Sequence, residues 1–395
     1  MRILISAGEA SGDVYGAGLI EALKRRVPAA EFFGVAGTGM AGAGCEAVVQ
    51  ARDVAVVGLA EVVSHLPSIW GHFRRLVRAA EERRPDAAVL IDFPDFNLRL
   101  ARQLHRRGIP VIHYVSPQLW AWRRGRVEQI RRHVRKMLVI FPFEVDFYRA
   151  HGIDAEYVGH PLANLPPPEV SREDFADEYR LSARKSWIAL LPGSRRKETD
   201  LNLGPLLEAA DLVSGRAEVE HEWLIPLAST MDRLGSSGAA VGAKFSPAEG
   251  GAQITITGDA RATLAHARAA VVASGTATVE AALIGTPFCM VYRVSPLSWA
   301  AGRWLVDVPH FAMPNLIYSN WRPGAPAGER AVTELVQRDF TPEKVADELE
   351  RLAANGPERE RVKAALAEVR ARLEAGSVAG LSAADRAAEA VLRAL

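Results

Sequence analysis

The chain has 395 residues, 49% hydrophobic and 24% charged, a globular mix long enough for two or three domains that excludes disorder as its dominant state. Its 48 Lys and Arg stand against 47 Asp and Glu, a net +1 that argues against a general polyanion binder. The two cysteines, Cys45 and Cys289, lie far apart with no CxxC spacing, which disfavours a disulfide scaffold or a zinc site.

The first residues lack the long apolar core and cleavage site of a signal peptide. No window nears the roughly 18 apolar residues of a spanning helix. The expectation is a cytosolic protein, or one seated on a membrane without crossing it. In chain order, short β-rich runs alternate with longer amphipathic stretches, the pattern of a doubly wound α/β sheet. Residues 3–6 read as a first strand, followed by the turn-rich Gly8-Glu9-Ala10-Ser11-Gly12-Asp13 and a helix carrying Leu19, Ile20 and Leu23. Residues 31–36, 87–91, 111–115 and 137–141 supply further buried strands, with helices between them such as 98–107, closed by Gly108. Pro166, Pro167 and Pro168 can continue neither a helix nor an interior strand and mark a connector. Strands then resume at 187–191, 222–226, 253–257, 269–273 and 288–291, with a small-residue-rich loop at 235–251. Beyond residue 341 the pattern is helical. The expected domains are 1–165, 166–340 and a helical tail, 341–395.

Chemistry-bearing residues gather where strands end. In Leu191-Pro192-Gly193-Ser194-Arg195 a glycine lets backbone N–H groups approach an anion at a helix N-terminus, and Arg195 offers a bidentate phosphate contact. A plain strand-to-helix turn explains the same residues. Ser274-Gly275-Thr276-Ala277 repeats the arrangement, and Glu280, one turn past Thr276, is placed to accept from a ribose diol; a capping sequence with a surface Glu is the plainer account. Two anion-ready loops in one unit favour a nucleoside diphosphate. In the first half Asp92 closes the 87–91 strand, where partial burial would raise its pKa for base catalysis, while Asp95 or Asn97 would cap the next helix.

Glu9, Ser11, Gly12, Asp95, Ser116 and Trp120 are candidates to line an acceptor cleft. A cap at Ser11 and structural packing of Trp120 with Trp122 account for them as well. The missing GxGxxG counts against a dinucleotide enzyme. Leu66, Ile69, Trp70, Phe73, Leu76 and Val77 recur at helical spacing beside Arg74, Arg75 and Arg78, which describes either a buried helix face or a helix at a lipid interface. Residues 99–136 hold ten Arg and Lys136 against Glu128 alone, a run that favours an anionic surface or a phosphorylated ligand.

Together these motifs resemble the lipid A disaccharide synthase family, inverting glycosyltransferases of Gram-negative outer-membrane biogenesis. The resemblance is carried by Gly8 to Asp13, Gly34-Val35-Ala36-Gly37, Asp92-Phe93-Pro94-Asp95-Phe96-Asn97, His113-Tyr114-Val115-Ser116-Pro117 with Trp120-Ala121-Trp122, and Gly159-His160-Pro161. It continues through the Gly193 and Gly275 loops to Met313-Pro314-Asn315-Leu316, in family order. It implies a GT-B fold, two Rossmann-like domains facing a cleft with a helical tail packing back on the first. It implies a UDP-2,3-diacylglucosamine donor, a 2,3-diacylglucosamine 1-phosphate acceptor (lipid X), and UDP and a β-1,6-linked disaccharide 1-phosphate as products. Asp92 matches the family's candidate base and Arg195 an essential arginine; Gly193, Ser194, Arg195, Ser274, Gly275, Thr276, Glu280 and Asn315 would hold the donor.

No metal and no cofactor are implied, the UDP-sugar being a substrate. The enzyme would sit on the cytoplasmic face of the inner membrane, with Ile69, Trp70, Phe73, Arg74 and Arg75 on its anionic surface. No nucleic-acid partner is implied, and a homodimer is left open. Two segments depart from the family pattern: 318–328, where the family has a shorter link, and 48–52, which lacks the usual acidic or aromatic residues. The rivals are another GT-B enzyme using a UDP-N-acetylhexosamine, such as a peptidoglycan transferase or a UDP-sugar 2-epimerase, and a non-catalytic nucleotide-sugar sensor or membrane adaptor.

Overall fold

Apolar runs buried on both faces build two parallel sheets, each in its own unit. The computed structural model describes residues 1–54, 59–121, 124–216, 220–227, 234, 238–246, 251–306, 308–374 and 381–395, the side chains of 59–66, 124, 297, 301 and 303–305 excepted. Unit 1 comprises Met1–Asn164 and Leu373–Leu395; unit 2 is Leu165–Arg372.

Unit 1 runs β1 (Arg2–Ala7), α1 (Ala10–Arg26), β2 (Glu31–Ala36), α2 (Thr38–Gly42), β3 (Cys45–Gln50), α3 (Leu59–Arg83) and β4 (Ala87–Ile91). It continues through α4 (Pro94–His105), β5 (Val111–Tyr114), α5 (Val127–His133), β6 (Lys136–Val139), α6 (Pro142–Ala150) and β7 (Ala155–Tyr157). All seven strands are parallel, in the order β3-β2-β1-β4-β5-β6-β7, with Leu4 opposite Phe33 on one side and Ala88 on the other. The chain winds one way from β1 to β3, then crosses to β4 and winds the other way. The sheet therefore has a switch point between β1 and β4, and the crevice beyond their C-terminal ends is where such folds take ligands. Two glycine-rich motifs meet beside it: the Asp13 carboxylate in α1 accepts the backbone N–H groups of Gly37, Gly39 and Met40 at 2.8–3.2 Å.

Unit 2 runs α7 (Arg172–Tyr179), β8 (Ser186–Leu191), α8 (Arg196–Arg216), β9 (His221–Pro226), β10 (Lys244–Phe245), β11 (Ile254–Thr257), α9 (Ala260–His266) and β12 (Ala269–Ala273). Then come α10 (Thr276–Ile284), β13 (Phe288–Tyr292), α11 (Pro296–Leu305), α12 (Met313–Tyr318), β14 (Glu334–Val336), α13 (Pro342–Ala353) and α14 (Pro357–Glu374). The order is β10-β11-β9-β8-β12-β13-β14, parallel except for the β10–β11 pair, which puts a second switch point between β8 and β12. Trp187, Trp223 and Phe288 fill the core, and the Arg172 guanidinium lies 3.7 Å over the Trp187 ring.

Several expectations are refined. The 341–395 segment is not one tail: α13 and nearly all of α14 belong to unit 2, while α15 (Ala383–Ala394) returns to pack on α1, where Arg26 pairs with Asp385 and Glu389. The loop read at 235–251 contains β10, while 235–237 and 247–250 lie outside the described residues. The short strands β3, β7 and β14 were not distinguished by pattern, because three to six partly exposed residues carry little periodicity. The long 318–328 link has its own anchor: Trp321 is buried and donates to the Ala325 carbonyl. Among the described residues no helix is long and apolar enough to cross a membrane.

Candidate active site

At the unit 1 switch point, β4 is followed by two consecutive left-handed residues, Asp92 (φ 43°) and Phe93 (φ 50°), and β5 by a third, Val115 (φ 63°). Aspartate tolerates this conformation, but phenylalanine and β-branched valine adopt it only under constraint, at about 1–3 kcal/mol each. Asn97 supplies part of that constraint. Fully buried, it places Nδ2 within hydrogen-bond range of the Asp92, Ile91 and Ser6 carbonyls at 2.9, 3.1 and 3.3 Å, and its Oδ1 accepts from the Ser6 hydroxyl at 2.8 Å. It thus ties the ends of β1 and β4 together and fixes the backbone that carries Asp92. Gly8 makes room for this loop: a Cβ there would run into the Phe93 ring.

Helix α4 begins at Pro94, four residues before the expected start, so neither Asp95 nor Asn97 caps it. Asp95 is exposed and pairs with Arg126. Glu9 occupies the N-cap position of α1. Ser11 lies inside that helix, and Gly12 lies against Ala7 and Ile91, a helix-to-sheet contact. Ser116 and Trp120 do not line a cleft, which corrects their expected role. Trp120 is 1% exposed, donates its indole N–H to Glu144 at 3.0 Å and meets Phe143 edge-on. Ser116 is buried against the Tyr148 hydroxyl at 2.6 Å. Glu144 also accepts the Phe141 N–H at 3.1 Å, and burial pushes its carboxyl up to about 7 against these hydrogen bonds. Trp122 lies outside the described residues.

At the unit 2 switch point both anticipated loops sit side by side, after adjacent strands β8 and β12. Gly193 has φ 125°, and a Cβ there would strike the Glu198 carboxylate. Glu198, in the first turn of α8, hydrogen-bonds the Ser194 and Arg195 backbone; burial pushes its carboxyl up, opposed by those bonds and by the Arg195 charge. From the same helix Thr199 donates to the Gly193 carbonyl at 3.3 Å and buried Asn202 to the Pro192 carbonyl at 2.8 Å. Gly275 (φ 143°) occupies the N-cap position of α10, leaving the first turn of that helix to present N–H groups. Thr276 is exposed at this end, and Glu280 is half-buried, 3.8 Å from Arg261, with its carboxyl pushed up by burial.

Asn315 is not a ligand-facing residue. It is fully buried, donating to the Val332 carbonyl (3.0 Å) and Glu334 (2.8 Å) and accepting the Val332 N–H (2.9 Å). Glu334 accepts the Phe311 and Ala312 N–H groups as well, and the Phe311 carbonyl takes the Ser274 hydroxyl at 3.1 Å. Asn315 therefore acts on the Ser274 loop through Glu334 and the backbone of residues 311–312. Glu334, nineteen residues away, gave no sequence signal. Glu144 did give one, as an acid three residues past Phe141 behind the helix-starting Pro142.

The remaining candidates lie on α3. Trp70 is 54% exposed, Ile69 half-buried and Phe73 buried; Arg74 and Arg75 are exposed, with Arg75 Nη2 2.6 Å from His72 Nδ1. The Leu66 side chain lies outside those described.

Comparison with known proteins adds three findings. A family model described as lipid-A-disaccharide synthetase matches residues 3–389. The chain is 53% identical over 393 residues to a lipid-A-disaccharide synthase of Koribacter versatilis, covering 99% of this chain and 98% of that one. It is 48% identical to that of Acidobacterium capsulatum, covering 99% and 96%. Among solved structures it resembles the glycotransferase of kitacinnamycin (TM-score 0.60, 16% identity, 100% and 99% covered) and an S. aureus MnaA–UDP co-structure (0.59, 12%, 99% and 94%). At these identities the likeness concerns the fold alone, which is GT-B.

Proposed function

Since the chain belongs to the lipid-A-disaccharide synthase family of lipid A biosynthesis, we propose that it joins UDP-2,3-diacylglucosamine to 2,3-diacylglucosamine 1-phosphate with inversion, giving a β-1,6-linked disaccharide 1-phosphate and UDP. The observation that carries this reading is the chemical contrast between the two switch points: a carboxylate in unit 1, and two N–H-rich loops with an arginine in unit 2.

In this mechanism Asp92 takes the proton of the acceptor 6-hydroxyl as that oxygen attacks the anomeric carbon on the face opposite UDP. The strained backbone held by Asn97 fixes the carboxylate before substrate arrives, so little ordering is left for the transition state. The Gly193-Ser194-Arg195 and Ser274-Gly275-Thr276 loops take the diphosphate, and Glu280 takes the ribose. Arg195 and the N-termini of α8 and α10 neutralise charge that grows on the leaving UDP, which gives the reaction a metal-independent route. The α3 face around Trp70 meets an anionic membrane surface from the cytoplasmic side.

Incubation with both substrates in detergent, scored by mass spectrometry, should yield the disaccharide 1-phosphate and UDP in equal amounts. Absence of disaccharide, with UDP still bound, would favour the non-catalytic sensor. Conversion of the UDP-sugar to its 2-epimer would favour the epimerase reading.

A further inference from the structure

A line of aromatic rings crosses unit 1 from its surface to the candidate base. Trp70 stacks on Phe73 with centroids 5.3 Å apart and 9° between planes. Phe73 meets Phe96 edge-on at 5.4 Å, and Phe96 stacks on Phe93 at 5.4 Å. Phe93 is the strained residue that follows Asp92. Phe73 and Phe96 are each 6% exposed, yet the outer ring of the line is open: Trp70 is the only aromatic among the exposed large hydrophobics of the described residues.

Beside this line lies a groove of about 710 Å³ with an apolar wall of Trp70, Phe73 and Val77, the rest of its lining being charged or polar: arginines of α3, Glu81, Glu82, Gln103 and Arg107. Its charge is polarised. Arg78 is paired with Glu82 at 2.8 Å and Arg107 with Glu81 at 2.6 Å, which neutralises the far end. Arg74 and Arg75 leave the end nearest Trp70 cationic. A groove with one apolar wall, centred on the exposed Trp70 ring, and a cationic mouth is complementary to a hydrocarbon chain attached to an anionic head. A flat membrane surface needs no such groove, and a soluble sugar phosphate would gain nothing from its apolar wall.

We infer that this groove is an acyl-chain site that holds one hydrocarbon chain of the acceptor, with the Phe73–Phe96–Phe93 line setting the distance from that chain to Asp92. The site makes the Trp70 face a determinant of chain length. The inference rests on the proposed acylated acceptor.

Two measurements test it. The first compares wild type, Trp70→Ala and Phe73→Leu on acceptors bearing hexanoyl or tetradecanoyl chains at constant detergent, where partition of the acceptor is common to all proteins and cancels. Each methylene buried in the groove contributes about fourfold to binding. The long-to-short ratio of kcat/KM should therefore fall at least about tenfold in the variants, through acceptor KM, with donor KM unchanged. An unchanged ratio overturns the site. So does loss of binding to anionic vesicles with the ratio intact, which would make the face a membrane surface only.

The second measurement needs no turnover. An acceptor with a brominated chain should quench wild-type tryptophan fluorescence, and Trp70→Phe should remove most of that quenching. Equal quenching in both proteins overturns the site. Because this readout is independent of catalysis, failure of the glycosyl transfer and failure of the acyl site give different results.

Discussion

The two switch points share one scaffold device and present different groups on it. In each unit a buried asparagine on the helix after the strand holds the post-strand loop by its carbonyls: Asn97 for Asp92 in unit 1, Asn202 for Pro192 in unit 2. What the loops then present differs. In unit 1 the left-handed positions are Asp92 and Phe93, so a side-chain carboxylate stands on strained backbone. In unit 2 they are Gly193 and Gly275, so the main chain itself is open to an anion. The same α/β frame thus presents a carboxylate in one copy and open main-chain N–H groups in the other, and the difference lies in which residue type occupies the positive-φ position.

That contrast predicts separable losses. The largest is Asp92→Asn, which keeps the left-handed backbone because asparagine tolerates it, and removes only the proton acceptor. Turnover should fall about 10²- to 10⁴-fold while UDP affinity, measured by calorimetry, stays at the wild-type value. Near-normal turnover would remove Asp92 from the mechanism. The reverse pattern is expected of Gly193→Ala, where φ 125° and the Glu198 carboxylate both resist a Cβ. The loop must shift, so UDP affinity should drop about tenfold or more, with most turnover recovered at saturating donor. A variant with weak turnover but unaltered UDP binding would mean that this loop does not hold the diphosphate.

The two halves of the contrast were not equally legible. The unit 2 loops could be read from sequence because glycine between a buried run and a helix is a backbone signal in its own right. The strain at Asp92 and Phe93 could not, since nothing in the residue types announces a positive φ; Asn97 helps hold it, and of its three carbonyl contacts the one to Ser6 depends on β1 and β4 being neighbours. Asn315 and Trp120 were misread for the mirror-image reason. A donor-binding role that the resemblance implies for Asn315, and an indole after a strand, suggest ligand contacts until the partners, Glu334 and Glu144, arrive from 19 and 24 residues away. The well-buried strands are written in local pattern, but the short β3, β7, β10 and β14 are not, and neither is the strand order that creates both switch points.

The smallest effect concerns how the neighbouring unit 1 loop is kept in place. Glu144 holds Trp120 and Phe141, and burial puts its carboxyl at about 7 rather than in the usual carboxylate range. The folded state therefore holds a proton that the unfolded chain gives up near 4.5. The resulting stability is complete below that value and is lost as pH rises through about 7, with a slope of at most about 1.4 kcal/mol per pH unit. Glu144→Gln keeps an acceptor for the indole and cannot ionise. Across pH 5 to 8 the melting temperature of the variant should rise relative to wild type, because only the wild type must ionise a buried carboxyl or expel it. Since the measured quantity is the change in this difference with pH, other titrating groups common to both proteins cancel. A difference that stays flat over the window would mean that Glu144 is already ionised in the folded protein, and that the Trp120 loop is anchored by a buried charge rather than by a neutral acid.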